Sequence, residues 1–314
     1  MDRPRGRRLV GLVQPTGTER EASTTGERKA LIVVNRRGTG GRRSLDRAIH
    51  QLEDAGLDVS VTFSRDPSDI PALVRQLAPA ADLVIIGGGD GTISAALPAV
   101  LAAGKPLGIL PMGNANDLAR TLGLPDSLPE AAAIIAAGRK RRIDLGTVNG
   151  RPFLNVASLG LSVEIARRLT PQRKQRWRLL AYLGCAWEAF HRQRSFQARI
   201  RCAGETHELR CLQVCVGNGR YYGGGMAIVD DAAIDDGRLD CFALPKVPHW
   251  RLLVLAPALR RGAHRPLPDI LSLHGEAIEI ETDPPMAVNV DGEVVETTPA
   301  RFGILPKALV VYGS

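Results

Sequence analysis

Leu83-Val84-Ile85-Ile86-Gly87-Gly88-Gly89-Asp90-Gly91-Thr92-Ile93-Ser94-Ala95-Ala96-Leu97 is the stretch on which the fold turns. The apolar run reads as a buried strand, the glycines as a turn, and Ile93 onward as the start of a helix. Glycines let the backbone turn sharply and come close to a ligand. The first amides of the following helix lack partners within it, and the helix dipole favours an anion there. Asp90, inside such a cradle, points to a divalent cation or a proton transfer, and hence to a metal-nucleotide and phosphoryl transfer. The Gly-Lys-Ser/Thr ending of a P-loop is missing. Gly87-x-Gly89-x-x-Thr92 imitates a dinucleotide fingerprint only in part, because its third glycine is a threonine.

A second unit of the same kind follows: strand Leu107–Leu110, turn Pro111-Met112-Gly113-Asn114, helix Ala115–Arg120. Adjacent strand-turn-helix units place both turns at the carboxyl ends of neighbouring parallel strands, where open α/β sheets bind ligands. Asp90 and Asp117 then face one crevice, and two acidic turns around a polyphosphate need a cation between them.

Around these units the chain alternates strand and helix. Ala30–Val34 and Val59–Phe63 read as strands, Leu45–Gly56 and Ile70–Ala78 as helices, which together predict a doubly wound parallel sheet. After Gly138 the pattern becomes one of short strands: Phe153–Ser158, Phe196–Cys202, Glu208–Val216, Leu239–Leu244, Ala277–Glu281, Met286–Val290 and Glu293–Val295. They suggest an antiparallel sandwich or barrel, interrupted by helices near 175–192 and 248–261. The predicted organisation is a loose basic tail (1–28), an α/β nucleotide-binding domain (29–146) and a β-rich domain (147–302). The last strand, within 303–314, is free to rejoin the first domain.

The 314 residues suffice for two domains, and 44% hydrophobic with 24% charged residues is ordinary globular composition. Charge is unevenly placed. Arg139 to Arg201 carries fifteen Lys or Arg against Asp144, Glu164 and Glu188, a net +12 in a chain of +8, leaving −4 elsewhere. Such a segment suits an anionic partner, and Trp177 and Trp187 on its helical stretch suit an anionic membrane surface. A core helix with a solvated basic face fits the same residues. Aromatic residues are only 4%, with no interleaved platform, which argues against single-stranded nucleic-acid binding, and no nucleic-acid partner is expected. Five cysteines without a CxxC pair suggest a reducing, cytoplasmic setting, with Cys211 and Cys215 on one strand face. No apolar run approaches the roughly 20 residues of a spanning helix, and the basic N-terminus lacks the apolar stretch of a secretory signal.

Later turns carry further polar residues. Gly217-Asn218-Gly219-Arg220 follows a strand; Asp235-Asp236-Gly237 and Asn289-Val290-Asp291-Gly292-Glu293 have hairpin-turn composition. Read along one strand, Asp291 and Glu293 alternate and project to the same side. A carboxylate pair of that kind near ATP supplies a general base and helps hold Mg²⁺.

Taken in order, these motifs resemble the diacylglycerol kinase catalytic-domain family, which includes sphingosine and ceramide kinases, and above all its bacterial soluble lipid kinases. The resemblance runs from about Lys29 to the C-terminus. It rests on Gly88–Thr92, Pro111–Arg120, Arg142–Gly146, Phe153–Asn155, Gly217–Arg220, Asp235–Gly237 and Asp291–Glu293. It implies a two-domain kinase, α/β plus β-sandwich, with ATP in the cleft and Mg²⁺ as its ion. It also implies that Asn35, Thr62, Gly87–Thr92, Gly113, Asn114, Asn116 and Asp117 surround the nucleotide. Asp291 matches the base that deprotonates the lipid hydroxyl. Asp236, with the carbonyls of Ala233 and Arg238, matches a structural metal site, and Asp90, Asp117 and Asp144 match an acidic network. Two positions depart from the pattern: Asn35-Arg36 replaces Asn-Pro, and Asn114 stands where threonine is usual. The expected partner is a membrane lipid (diacylglycerol, phosphatidylglycerol or a sphingoid base), reached by peripheral contact. NAD kinases share a Gly-Gly-Asp-Gly-Thr loop, and a nucleotide-responsive membrane-binding protein without turnover is the other alternative. The ordered later motifs and the retained carboxylates favour the lipid kinase; oligomeric state has no sequence signal.

Overall fold

The computed structural model describes residues 28–36, 41–161, 163, 195–219, 221–222, 226–227, 233–246 and 270–313. Most of the 1–28 tail, the helices expected at 175–192 and 248–261, Trp177, Trp187, Cys185 and Arg220 lie outside them. The chain divides into two compact units, Met1–Arg142 with Leu309–Ser314, and Ile143–Ala308.

The first unit alternates β1 (Arg28–Asn35), α1 (Arg42–Asp54), β2 (Leu57–Ser64), α2 (Ile70–Leu77), β3 (Leu83–Gly88), α3 (Asp90–Ala103), β4 (Leu107–Pro111), α4 (Asp117–Thr121) and α5 (Leu128–Ala136). Its strands are parallel in the order β2-β1-β3-β4. Val311, near the chain's end, extends the sheet beside Leu107. Both faces of β1 and β3 are covered, so their sequences are continuous apolar runs instead of alternating ones. On one face Leu45, Ala48, Ile49 and Leu52 of α1, spaced as one helical stripe, pack with Ala131, Ala132 and Ile135 of α5 over Ile32, Val34 and Ile85. α2 and α3 pack together on the other. The fold is doubly wound, as the alternation indicates. α5 has no counterpart in the sequence reading. Asn116, left-handed at φ 50°, delays α4 to Asp117, so the helix read from Ala115 is a single short turn.

The second unit contains β5 (Lys140–Val148), β6 (Arg151–Phe153), β7 (Val156–Gly160), β8 (Phe196–Cys202), β9 (Glu205–Gly217), β10 (Tyr221–Tyr222), β11 (Met226–Ala227), β12 (Leu239–Pro245), β13 (Leu271–Gly275), β14 (Ala277–Asp283), β15 (Ala287–Val290), β16 (Glu293–Thr297) and β17 (Ala300–Tyr312). β5 begins, and β17 ends, in the first unit. Neighbours run antiparallel along β16-β15-β7-β9-β8-β14-β17, with β12 and β13 added at β9. One core gathers Phe153, Leu159, Phe196, Ile200, Val214, Val216, Ile278, Val288 and Phe302. β8 alternates buried and exposed along its whole length, and its outer Arg199 and Arg201 pair with Glu208, Glu279 and Glu281. Exposed pairs of this kind contribute little each.

Two expectations change here. Phe153–Ser158 is not one strand: the chain bends at Leu154 and Asn155 between β6 and β7. Cys211 and Cys215 do not share a face. A register shift in β9 opposite Leu244 and Pro245 puts Cys211 with Val214 and Val216 in the core. Cys215 is left beside Gln213, whose Nε2 donates to its sulfur at 2.9 Å. Burial pushes both thiols up to about 12.

Candidate active site

In the first unit the two glycine turns are packed against each other. A Cβ on Gly89 would lie 2.8 Å from the Cα of Gly113, and one on Gly113 would lie 2.5 Å from the Cα of Gly89. No side chain fits at either position, so the turns after β3 and β4 form one backbone surface. Three polar links hold it. Met112 N–H donates to the Gly88 carbonyl at 2.9 Å. Asp90 Oδ1 accepts from the Leu118 amide at 3.1 Å, joining the N-terminus of α3 to that of α4. Asn35 Nδ2 donates to Thr92 Oγ1 at 3.0 Å, tying the end of β1 to the first turn of α3.

Gly91 differs from its neighbours. It is exposed in the first turn of α3, and a Cβ there would meet nothing within 4 Å. A glycine in a helix costs up to about 1 kcal/mol relative to alanine, and no neighbour among the described residues requires one here. Without a Cβ the backbone at this point stays open to close approach. Asn116 Oδ1 accepts from Gly113 N–H at 2.8 Å, so its side chain braces the second turn from within. Asn114 is exposed and borders a cavity of about 250 Å³ with Ser44, Pro111, Asn116, Asp126 and Leu128. Thr62 is set apart: it lies on edge strand β2 opposite Val33, with β1 between it and β3.

The second unit brings together the later motifs, which are scattered over 150 residues of sequence. The Asp291 carboxylate takes three backbone amides, Leu154 at 2.8 Å on Oδ2 and Asn155 and Val156 at 2.9 and 3.1 Å on Oδ1. This clamp is why the chain bends between β6 and β7. Asn218 Nδ2 donates to the carbonyls of Asp144 and Leu154, both at 2.9 Å. Asp144, buried, accepts from the amides of Gly237 at 2.7 Å and Lys307 at 2.6 Å. Asp236 faces Arg238 through both oxygens, 3.2 Å to its amide and 3.0 Å to Nε. Ala233 precedes this turn and is half-buried.

Asp291 and Glu293 do not alternate along one strand. Val290 pairs with Glu293 across a two-residue hairpin in which Asp291 and Gly292 have φ of 47° and 98°, the pattern of a tight hairpin turn. The turn sends Asp291 inward to the clamp and leaves Glu293 exposed beside Arg151 at 3.7 Å.

Among the described residues no group of three or more His, Cys, Asp and Glu is placed to hold a metal. Mg²⁺ at nucleotide sites takes one or two carboxylates and completes its shell with phosphate oxygens and water. Asp90 and Asp117, at the first positions of α3 and α4, match that number. Asp236 meets Arg238 through both oxygens, and the site implied for it also draws on the backbone carbonyls of Ala233 and Arg238.

The α/β unit and the clamped β unit together define a class of nucleotide-using two-domain enzymes. Residues 29–148 match the diacylglycerol kinase catalytic domain, and residues 155–313 match the YegS C-terminal NAD kinase beta sandwich-like domain. A probable YegS-like lipid kinase of Pseudomonas aeruginosa is 32% identical over 292 residues, covering 90% of this chain and 94% of that protein. A diacylglycerol kinase of Mycobacterium tuberculosis is 33% identical over 272 residues, covering 84% and 87%. A Bacillus anthracis protein described in its crystal structure as a candidate diacylglycerol kinase superposes with a TM-score of 0.79 at 26% identity, covering 95% of this chain and 98% of that one. The chain belongs to the diacylglycerol kinase family of lipid kinases, with an N-terminal α/β domain and a C-terminal β-sandwich domain.

Proposed function

We propose that the protein transfers the γ-phosphoryl group of ATP to a hydroxyl of a membrane lipid. The observation that carries this reading is the Gly89–Gly113 contact. It joins two strand-end turns into one backbone surface at the start of α3, beside which the open Gly91 leaves room for a phosphate. Amides fixed in advance stabilise charge on a transferring phosphoryl group without reorganising. Asn35, Thr92 and Asn114 add side-chain donors around that surface.

Asp291 is the base in this reading. The lipid hydroxyl oxygen bonds to the γ-phosphorus, the bond to the β-phosphate oxygen breaks, ADP leaves, and the hydroxyl proton passes to the Asp291 carboxylate. Three amides fix that carboxylate in place, as positioning for proton transfer requires. Asp144 and Asn218 position it indirectly, by holding the segment that clamps it. Mg²⁺, when bound with the nucleotide, would neutralise phosphate charge, with Asp90 and Asp117 as the residues to hold it. The names of the curated relatives support a lipid acceptor. No described helix is long and apolar enough to cross a membrane; the basic Arg139–Arg201 segment supports peripheral docking on anionic lipid.

The test is incubation with γ-labelled ATP and total lipid extract, and separately with NAD. Label should enter a lipid with the wild type and vanish with Asp291→Asn. Label on NAD and none on lipid would overturn the assignment, and near-normal lipid labelling by Asp291→Asn would remove Asp291 from the base role.

A further inference from the structure

The cavity beside the Gly113–Asn116 turn carries a carboxylate where a phosphate site would carry a cation. Ser44, Pro111, Asn114, Asn116, Asp126 and Leu128 border it, and no Lys or Arg is among its lining residues. Asp126 lies in the loop before α5, outside every motif of the sequence. Its Oδ1 accepts from Asn116 Nδ2 at 3.3 Å, and Asn116 in turn grips Gly113 through both its amide atoms. The carboxylate is therefore fixed to the same turn that packs against Gly89. Among the described residues its Oδ2 meets no donor.

We propose that this cavity takes the ribose of the nucleotide, with Asp126 Oδ2 accepting from the sugar hydroxyls; the assignment rests on the nucleotide reading above. At about 250 Å³ the cavity is smaller than those that enclose a whole drug-sized ligand, so it suits one moiety of a nucleotide. A carboxylate repels phosphate and pairs with hydroxyl donors, and acidic residues take ribose hydroxyls in the same way in dinucleotide-binding folds. The ribose is the group joined to the phosphate chain, which matches a cavity adjoining the phosphate turn. Pro111 and Leu128 give the sugar an apolar wall.

The test is equilibrium binding of ATP, 2′-deoxy-ATP and 3′-deoxy-ATP to the wild type, Asp126→Ala and Asp126→Asn, with wild-type lipid phosphorylation followed alongside. The wild type should bind at least one deoxy analogue about tenfold or more weakly than ATP, the value of a hydrogen bond to a charged group. In Asp126→Ala that ratio should fall to within about twofold of unity. If Asp126 only braces Asn116, its removal weakens all three nucleotides alike and the ratio persists, which overturns the proposal. Equal binding of all three by the wild type does the same. Asp126→Asn keeps an acceptor for Asn116 and turns a donor toward the cavity, so it reads the same ratio if the alanine variant fails to fold. ATP binding and lipid labelling with unaltered ratios would remove the ribose assignment alone. No ATP binding and no labelled lipid would remove the kinase reading with it.

Discussion

Replacing Asp291 by asparagine should weaken the second unit as well as stop turnover, and the size of the loss follows from the clamp. Asparagine keeps one carbonyl oxygen, enough for the amides of Asn155 and Val156, but presents an NH₂ group to the amide of Leu154. Leu154 is 1% exposed, so water is poorly placed to replace the lost acceptor. A buried donor left unsatisfied costs about 1–3 kcal/mol. The two remaining bonds pass from charge-assisted to neutral, at about 0.5–1 kcal/mol each. The backbone adds little, because asparagine tolerates a φ of 47° as well as aspartate does. The total is about 2–5 kcal/mol, which at about 2 kcal/mol/M shifts a urea midpoint down by about 1–2.5 M. Urea unfolding followed by far-ultraviolet circular dichroism, to which the many strands of this unit contribute, measures the shift. A midpoint within about 0.3 M of wild type, at an unchanged slope, would refute the clamp argument.

Gly91→Ala should leave the fold intact or up to about 1 kcal/mol more stable, because its Cβ points into open space, yet weaken ATP binding at least about tenfold; unchanged affinity by calorimetry would end its role at the phosphate. Gly113→Ala should do the opposite, lowering the thermal midpoint by driving a Cβ into Gly89, and a fully stable variant would contradict the packing of the turns. Stability should decline in alkali. Below the ordinary thiol value of 9.0 the protonation of Cys211 and Cys215 is the same in both states, but above it the unfolded chain loses protons that the native thiols, at about 12, retain. The unfolded state is favoured by about 1.4 kcal/mol per thiol at pH 10. Urea midpoints at pH 8 and 10 should show this drop, and Cys211→Ala/Cys215→Ala should flatten it.

The parallel core was legible because burial on both faces leaves an unbroken apolar run, as in Ile32–Val34 and Leu83–Ile86. β8 was legible to the residue because one face is solvated and the alternation is clean. α5 was missed although Ser127-Leu128-Pro129-Glu130 has the composition of a helix start. Its alanine-rich body offers little contrast between buried and exposed faces. Other features are not local. The bend at Leu154 and Asn155 is imposed by a carboxylate more than 130 positions away, and the face of Cys215 depends on a register shift against β12. At the candidate site the glycine turns and Asp291 stood out by composition. Asp126 did not, since an acidic residue before a helix is common and only the bond to Asn116 singles it out.

Leu309 to Tyr312 closes the outer side of β4, and Leu309, Val311 and Tyr312 are each at most 3% exposed. A ribosome reaches these residues only after the entire second unit has been translated. Until then the nascent α/β unit carries an open sheet edge at β4, a template for pairing with other chains. Synthesis order thus leaves that edge uncovered until the second unit has been made, and replacing the buried Leu309, Val311 and Tyr312 would loosen the half of the molecule encoded first.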